Sequence, residues 1–242
     1  MPQEKLYEGK AKILYATEDP HVLLTVYKDD ATAFNAQKKG QISGKGIVNC
    51  QITAALYEWL ESAGIATHYI DSPASNQMRV KAVTIVPVEV VVRNIAAGSL
   101  CRETGLPEGK VLDNALVEFY YKSDELGDPL LTRDRIFLLD LVSSQRLAEI
   151  EQNARQINHL LQSFFDRCDI TLVDFKLEFG IDDEDNLLLA DEISPDTCRL
   201  WDKNETDTKA RVMDKDRFRK DLGQVESAYQ QVQQRVLAQL KK

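Results

Sequence analysis

The first stretch of the chain alternates apolar and polar residues in short runs, over residues 5–7, 13–16 and 22–27, separated by Gly9 and by Glu18-Asp19-Pro20. Side chains on a strand point alternately to opposite faces, and such breaks favour tight turns, so a β-meander is predicted. Over 46–63 the period changes. Val48, Ile52, Leu56, Trp59, Leu60 and Ala63 fall on one helical stripe, and Gly64 stands where the helix would end. Strand character returns with the alternation over 78–83 and the apolar run 85–92. A loop-rich region punctuated by Gly98, Gly105, Pro107, Gly109, Gly127 and Pro129 leaves one short strand at 117–121. Leu147, Ile150, Ala154, Ile157, Leu161 and Phe164 then mark an amphipathic helix. A strand at 170–179, an Asp-rich turn, a second strand at 187–193 and a closing helix through Leu222, Val225, Tyr229, Val232 and Val236 complete the pattern. Strands and helices are partly segregated, which predicts an α+β fold rather than a doubly wound parallel sheet.

The strand at 170–179 carries the densest candidate chemistry. Alternation puts Asp174, Lys176 and Glu178 on one face and Phe175, Leu177 and Phe179 on the other. The following strand would bring Asp191 and Glu192 beside them, just before Ser194-Pro195-Asp196. Mg²⁺ takes oxygen ligands, commonly one or two carboxylates plus substrate phosphates, so the arrangement suits a nucleotide-bound metal. A solvated sheet face with cross-strand charge pairs would look the same in sequence. Near the start, Gly9-Lys10-Ala11-Lys12 lies at a strand-turn-strand. Lysines two apart on a strand share a face and could meet one polyanion, although lysine-rich hairpin turns are also ordinary surface features. Arg93 precedes a loop of small residues ending in Ser99, and Arg199 follows the acidic segment. Their planar forks suit phosphate or carboxylate, and equally a surface ion pair. Residues 40–46, Gly-Gln-Ile-Ser-Gly-Lys-Gly, are one residue too short for a phosphate-binding Walker loop, and Gly46 stands where its Ser or Thr should be. His21, His68 and His159 do not cluster with acids or nucleophiles in the sequence, and none is assigned to catalysis.

Composition narrows the field. At 242 residues the chain fits one large domain or two modest ones sharing a cleft. A formal charge of -9 argues against a nucleic-acid partner, which would demand clustered Lys and Arg over a wide surface. The apolar run over 83–92 contains Pro87 and Glu89 and is too short to span a bilayer, and residues 1–10 have no apolar core of a secretory signal. A soluble, cytoplasmic protein is expected, with its four scattered cysteines reduced and forming no metal motif.

In order, residues 6–12 (LYEGKAK), 85–93 (IVPVEVVVR) with 97–99 (AGS), the strand over 172–180, and 191–196 (DEISPD) through 199–202 (RLWD) resemble the motifs of the phosphoribosylaminoimidazole-succinocarboxamide synthases, the SAICAR synthetases. Residues 119–129 and 214–219 also look like segments of that family. The resemblance covers essentially the whole chain. It implies a two-lobed fold related to ATP-grasp enzymes, with an N-terminal lobe (residues 1–86) resembling the small lobe of protein kinases and a C-terminal α+β lobe (87–242). It also implies ligation of L-aspartate to carboxyaminoimidazole ribonucleotide in purine biosynthesis, with ATP as co-substrate and Mg²⁺ as cofactor. By the same carry-over Gly9, Lys10 and Lys12 hold the triphosphate, Val86 and Val88 line the adenine, and Lys122 reaches the nucleotide. Glu178 and Asp191 bind the metal, and Asp174, Lys176 and Lys12 serve the reacting groups. Arg93, Ser99, Asp196 and Arg199 hold the ribonucleotide. Two departures from the family pattern stand out: Ala36-Gln37 after Phe34-Asn35, and Cys198 in place of a serine, which removes a hydroxyl next to Arg199. Another ATP-grasp-like ligase, a small-molecule kinase and a nucleotide-binding module without turnover are the competing readings, and homo-oligomer formation stays open.

Overall fold

The computed structural model describes residues 4–33 and 37–241, so of the departure at Ala36-Gln37 residue 36 lies outside the described residues. The opening meander forms as β1 (Lys5–Glu8), β2 (Lys12–Ala16) and β3 (Val22–Tyr27), followed by a small hairpin of β4 (Asp30–Ala33) and β5 (Lys38–Gln41) that the sequence pattern did not suggest. Helix α1 (Lys45–Ser62) comes next. It closes with Gly64 at φ +89, where a side chain would be strained, and with the Ile65 amide donating back to the Leu60 carbonyl at 3.0 Å. Then come β6 (Tyr69–Ala74) and β7 (Gln77–Lys81), and the antiparallel order β1-β2-β3-β7-β6 makes a five-stranded sheet.

The second sheet begins with β8 (Thr84–Ile85) and β9 (Val88–Ile95). The sequence predicted one strand over 85–92, but Pro87 offers no N–H to a ladder and the strand path is interrupted there. Both pieces still pair with the same neighbour on either side of the kink. Helix α2 (Ser99–Thr104) leads to β10 (Val111–Tyr121), well beyond the 117–121 expected, and then to β11 (Leu130–Leu131) and α3 (Arg133–Leu138). Helix α4 (Ser144–Arg167) starts at a cap in which the Ser143 hydroxyl accepts from the Arg146 amide. It buries Leu147, Ile150, Ala154, Ile157, Leu161 and Phe164, the stripe predicted, together with Asn158 and Phe165.

Strand β12 (Ile170–Ile181) is the axis of the seven-stranded sheet. On one side it pairs with β8 and β9. On the other, β14 (Cys198–Asp202) takes its first half and β13 (Leu187–Ala190) its second. Such a strand is buried on both faces, and the solvated-face reading of Asp174 and Glu178 fails: each is only 4% exposed. Helices α5 (Asp216–Arg219) and α6 (Val225–Gln239) close the chain, α6 packing on α1. The sheets meet through residues 66–68, where the Leu189 amide donates to the Ala66 carbonyl at 3.0 Å and the His68 amide to the Leu189 carbonyl at 2.9 Å. Among the described residues no helix is long and apolar enough to cross a membrane, and none of the cysteines is in a disulfide.

Candidate active site

Where the opening hairpin faces the central strand, lysines and carboxylates converge. Lys12, the first residue of β2, reaches Asp191 and, at 3.2 Å, Glu192. The Lys176 ammonium lies between Glu178, Asp191 at 3.1 Å and Glu89 at 3.2 Å, while Lys122 meets Glu178 from the third side at 2.7 Å. Three ammonium groups thus face four carboxylates. Burial alone would neutralise the lysines, but Asp191 and Glu192 hold the Lys12 ammonium well above the usual lysine range, and Asp191, Glu178 and Glu89 do the same for Lys176. Conversely, burial would raise the Asp191 carboxyl, and Lys12 and Lys176 outweigh it to hold that carboxyl well below the usual range. Glu178 is lowered in the same way, chiefly by Lys176, whereas burial keeps Glu89 raised.

Lys10 behaves differently from its neighbour. It sits in the turn, not on the strand, and reaches Asp124, 114 positions along the chain, at 2.6 Å. Gly9 shapes the same turn, its amide donating to the Lys12 carbonyl at 2.8 Å. Val86 and Val88 flank the Pro87 kink with buried side chains, the Val88 amide donating to the Val86 carbonyl at 2.7 Å. Residues 84–87 also line a cavity of about 610 Å³ with Leu141, Ser143, Arg146 and Ile181, apart from the lysine and carboxylate cluster.

A second charged group adjoins the first along β12. Asp174 bridges Arg93 at 3.1 Å and Arg199 at 2.7 Å. Arg93 is 3% exposed, so it is no surface ion pair; it also donates to Glu118 at 2.6 Å, the Ser99 hydroxyl at 2.8 Å and the Tyr120 hydroxyl at 3.1 Å. Arg199 donates to Asp216 at 3.1 Å and lies flat against Gly98, where any Cβ would collide with its guanidinium. The Asp196 side chain is 4% exposed, its oxygens held by Lys45 at 2.9 Å, the Tyr229 hydroxyl at 2.6 Å and, at 3.6 Å, Lys215. Cys198 is a buried thiol opposite Phe175, pushed up by desolvation.

The charged groups also take in Glu89, Glu118, Tyr120, Asp216 and Lys45, none of which the sequence singles out as a site residue. Glu89 carried a signal, a charge inside an apolar run; the others lie far along the chain from their partners. His68 is buried behind the cluster, its Nε2 without a partner among the described residues, and desolvation with Lys12 nearby pushes its pKa down to about 4. The unfolded chain takes up a proton on this ring below about 6.5 while the folded one resists until about 4, so the contribution to stability is full above 6.5 and is lost as pH falls through 4. His68→Gln should therefore flatten the decline in stability between those values by on the order of 3 kcal/mol, read from urea midpoints of both proteins at pH 7 and pH 4.

Two charged groups thus adjoin along β12 of an α+β fold, one of lysines and carboxylates and one of arginines gathered on Asp174. The SAICAR synthetase family model matches residues 5–236, and the chain belongs to the SAICAR synthetase family. A phosphoribosylaminoimidazole-succinocarboxamide synthase of Synechocystis sp. is 67% identical over 99% of this chain and 90% of its own length. The crystal structure of the Ehrlichia chaffeensis synthase is 42% identical with a TM-score of 0.93, covering 97% of this chain and 99% of that one. A SAICAR synthetase solved in complex with ADP is 43% identical with a TM-score of 0.91, covering 96% and 97%.

Proposed function

We propose that this chain joins L-aspartate to the carboxylate of carboxyaminoimidazole ribonucleotide, with ATP converted to ADP and phosphate, and that the triphosphate reacts at the lysine and carboxylate cluster. The observation that carries this is the meeting of Lys12, from the opening hairpin, with Asp191, at the end of β13, on the same ammonium-bridged carboxylates as Glu178. A carboxylate is a poor electrophile, and an amine does not displace oxide from it near neutral pH, so the acid must first be activated by phosphoryl transfer.

In this reading Gly9, Lys10 and Lys12 hold the phosphates, residues 85–88 line the adenine and Lys122 reaches the nucleotide. The oxygen-only donors Glu178 and Asp191 converge on one point, now met by the Lys176 ammonium, which is the setting a Mg²⁺ ion takes. Among the described residues no group of three or more His, Cys, Asp or Glu could hold a metal alone, so phosphate oxygens would complete the shell. When bound, Mg²⁺ would neutralise charge on the transferring phosphoryl group. Lys12 and Lys176 add donors to the same charge, and Arg93, Ser99 and Arg199 hold the ribonucleotide phosphate while Asp174 keeps the two guanidinium groups in register. Asp196 orders the loop that leads into β14 and Arg199.

Coupled ADP release should require all three substrates, and omitting aspartate or the ribonucleotide should abolish it. ADP release with the ribonucleotide replaced by a plain hydroxyl acceptor would instead indicate a kinase. For the acyl phosphate path, ¹⁸O placed in the imidazole carboxylate should appear in the released phosphate; its absence rejects that path.

A further inference from the structure

A stripe of polar side chains runs along α1, where a buried helix would ordinarily be apolar. Lys45, Asn49, Thr53 and Tyr57 are spaced by four residues, so they stack on one helix face. All four are buried, with exposures of 1%, 1%, 0% and 0%. Groups so buried need partners, because an unpaired one keeps its full desolvation cost. Three find them on a single short segment: the Tyr57 hydroxyl donates to the Ala190 carbonyl at 2.7 Å, the Thr53 hydroxyl to the Ile193 carbonyl at 3.2 Å, and the Lys45 ammonium to Asp196 at 2.9 Å. Asn49, between Thr53 and Lys45 on the stripe, has no partner for either amide atom among the described residues.

That segment is where ladder pairing stops. Strand β13 ends at Ala190, and Asp191 turns out of the sheet at φ +63, a left-handed conformation that aspartate adopts more readily than most residues with a side chain. The carbonyls of Ala190 and Ile193 bracket Asp191 and Glu192, and both end on α1.

We propose that α1 is a splint for the catalytic segment: Tyr57 and Thr53 are positioning residues that hold Asp191 and Glu192 in the one conformation that presents their carboxylates to Lys12 and Lys176. Lys45 does the same for Asp196 and the loop leading to Arg199. The inference rests on reading the cluster as the site of ATP cleavage. It also gives the Gly-Lys-Gly of residues 44–46 a purpose unrelated to phosphate: its lysine is directed inward, to a carboxylate 151 positions away.

Thr53→Val with Tyr57→Phe removes both hydroxyls with little change of shape. Its kcat/KM for ATP should fall at least tenfold, the KM for the ribonucleotide should move less than twofold, and amide exchange over residues 189–194 should quicken at least tenfold. Gln233→Leu, which breaks a side-chain bond to the other side of α1 at Gln51, serves as a control for lost helix packing and should change none of these. Tyr57→Phe alone carries the test if the double variant does not fold. Kinetic constants and exchange within twofold of the control would overturn the proposal, as would a uniform loss in every constant. Asp191→Ala is measured alongside: if it is inactive while the hydroxyl variant is normal, only the splint fails, whereas if it is fully active the reading of the cluster fails and the splint with it.

Discussion

Asp191→Ala should lower turnover about 100-fold or more, since an electrostatic group aimed at the reacting phosphoryl contributes on that scale. The fold should survive, because Lys12 keeps Glu192 and Lys176 keeps Glu178 and Glu89. Loss of the buried contacts should still cost about 1–3 kcal/mol. The pH dependence separates the two effects. The Asp191 carboxyl is held well below its ordinary value, so its contribution to stability is complete above the unfolded value near 4 and is lost as pH falls through the lower folded value. The stability gap between wild type and variant should therefore be constant from neutral pH down to about 5 and close only in stronger acid, while the loss of turnover persists at every pH at which both proteins are folded. Turnover within a few-fold of wild type in Asp191→Ala would remove Asp191 from the reaction.

The second large effect falls on the other substrate. Arg199→Met should raise the KM for the ribonucleotide about 100-fold, the scale of one charge-assisted anion contact of about 2–3 kcal/mol, with the KM for ATP nearly unchanged. Arg199 is held by Asp174 and Asp216, which keep its guanidinium charged and oriented, and the missing side chain of Gly98 leaves it room. Gly98→Ala, which strains the backbone at φ +58 as well as crowding the guanidinium, should reproduce part of the same KM increase without removing Arg199. A ribonucleotide KM unaltered in Arg199→Met would place the phosphate elsewhere.

Much of this site was legible from local pattern. Alternation along β12 puts Asp174, Lys176 and Glu178 on one face, and they anchor two adjoining groups, Lys176 with Glu178 in one and Asp174 with both arginines in the other. The same argument failed for Lys10 and Lys12, because the strand begins only at Lys12 and the turn carries Lys10 toward Asp124 instead. Strand 187–193 was drawn three residues too long for a related reason: apolar Ile193 continues the pattern, but the ladder has already ended at Ala190. Periodicity reports which side chains are apolar, not where backbone partners run out.

The sequence alone determined the element types wherever a hydrophobic period ran for several residues, as in α4 and β12, because burying one face of a regular element needs nothing beyond local geometry. It also determined, through ordered motifs along nearly the whole chain, the family to which the protein belongs. Tertiary structure decided the rest. Lys12 and Asp191 are 179 positions apart and Lys45 and Asp196 are 151 apart, separations over which no period carries information. Only the packing of α1 and the opening hairpin against residues 190–196 turned scattered charges into paired, buried ones, since the cost of desolvating a charge depends on what the folded chain brings beside it.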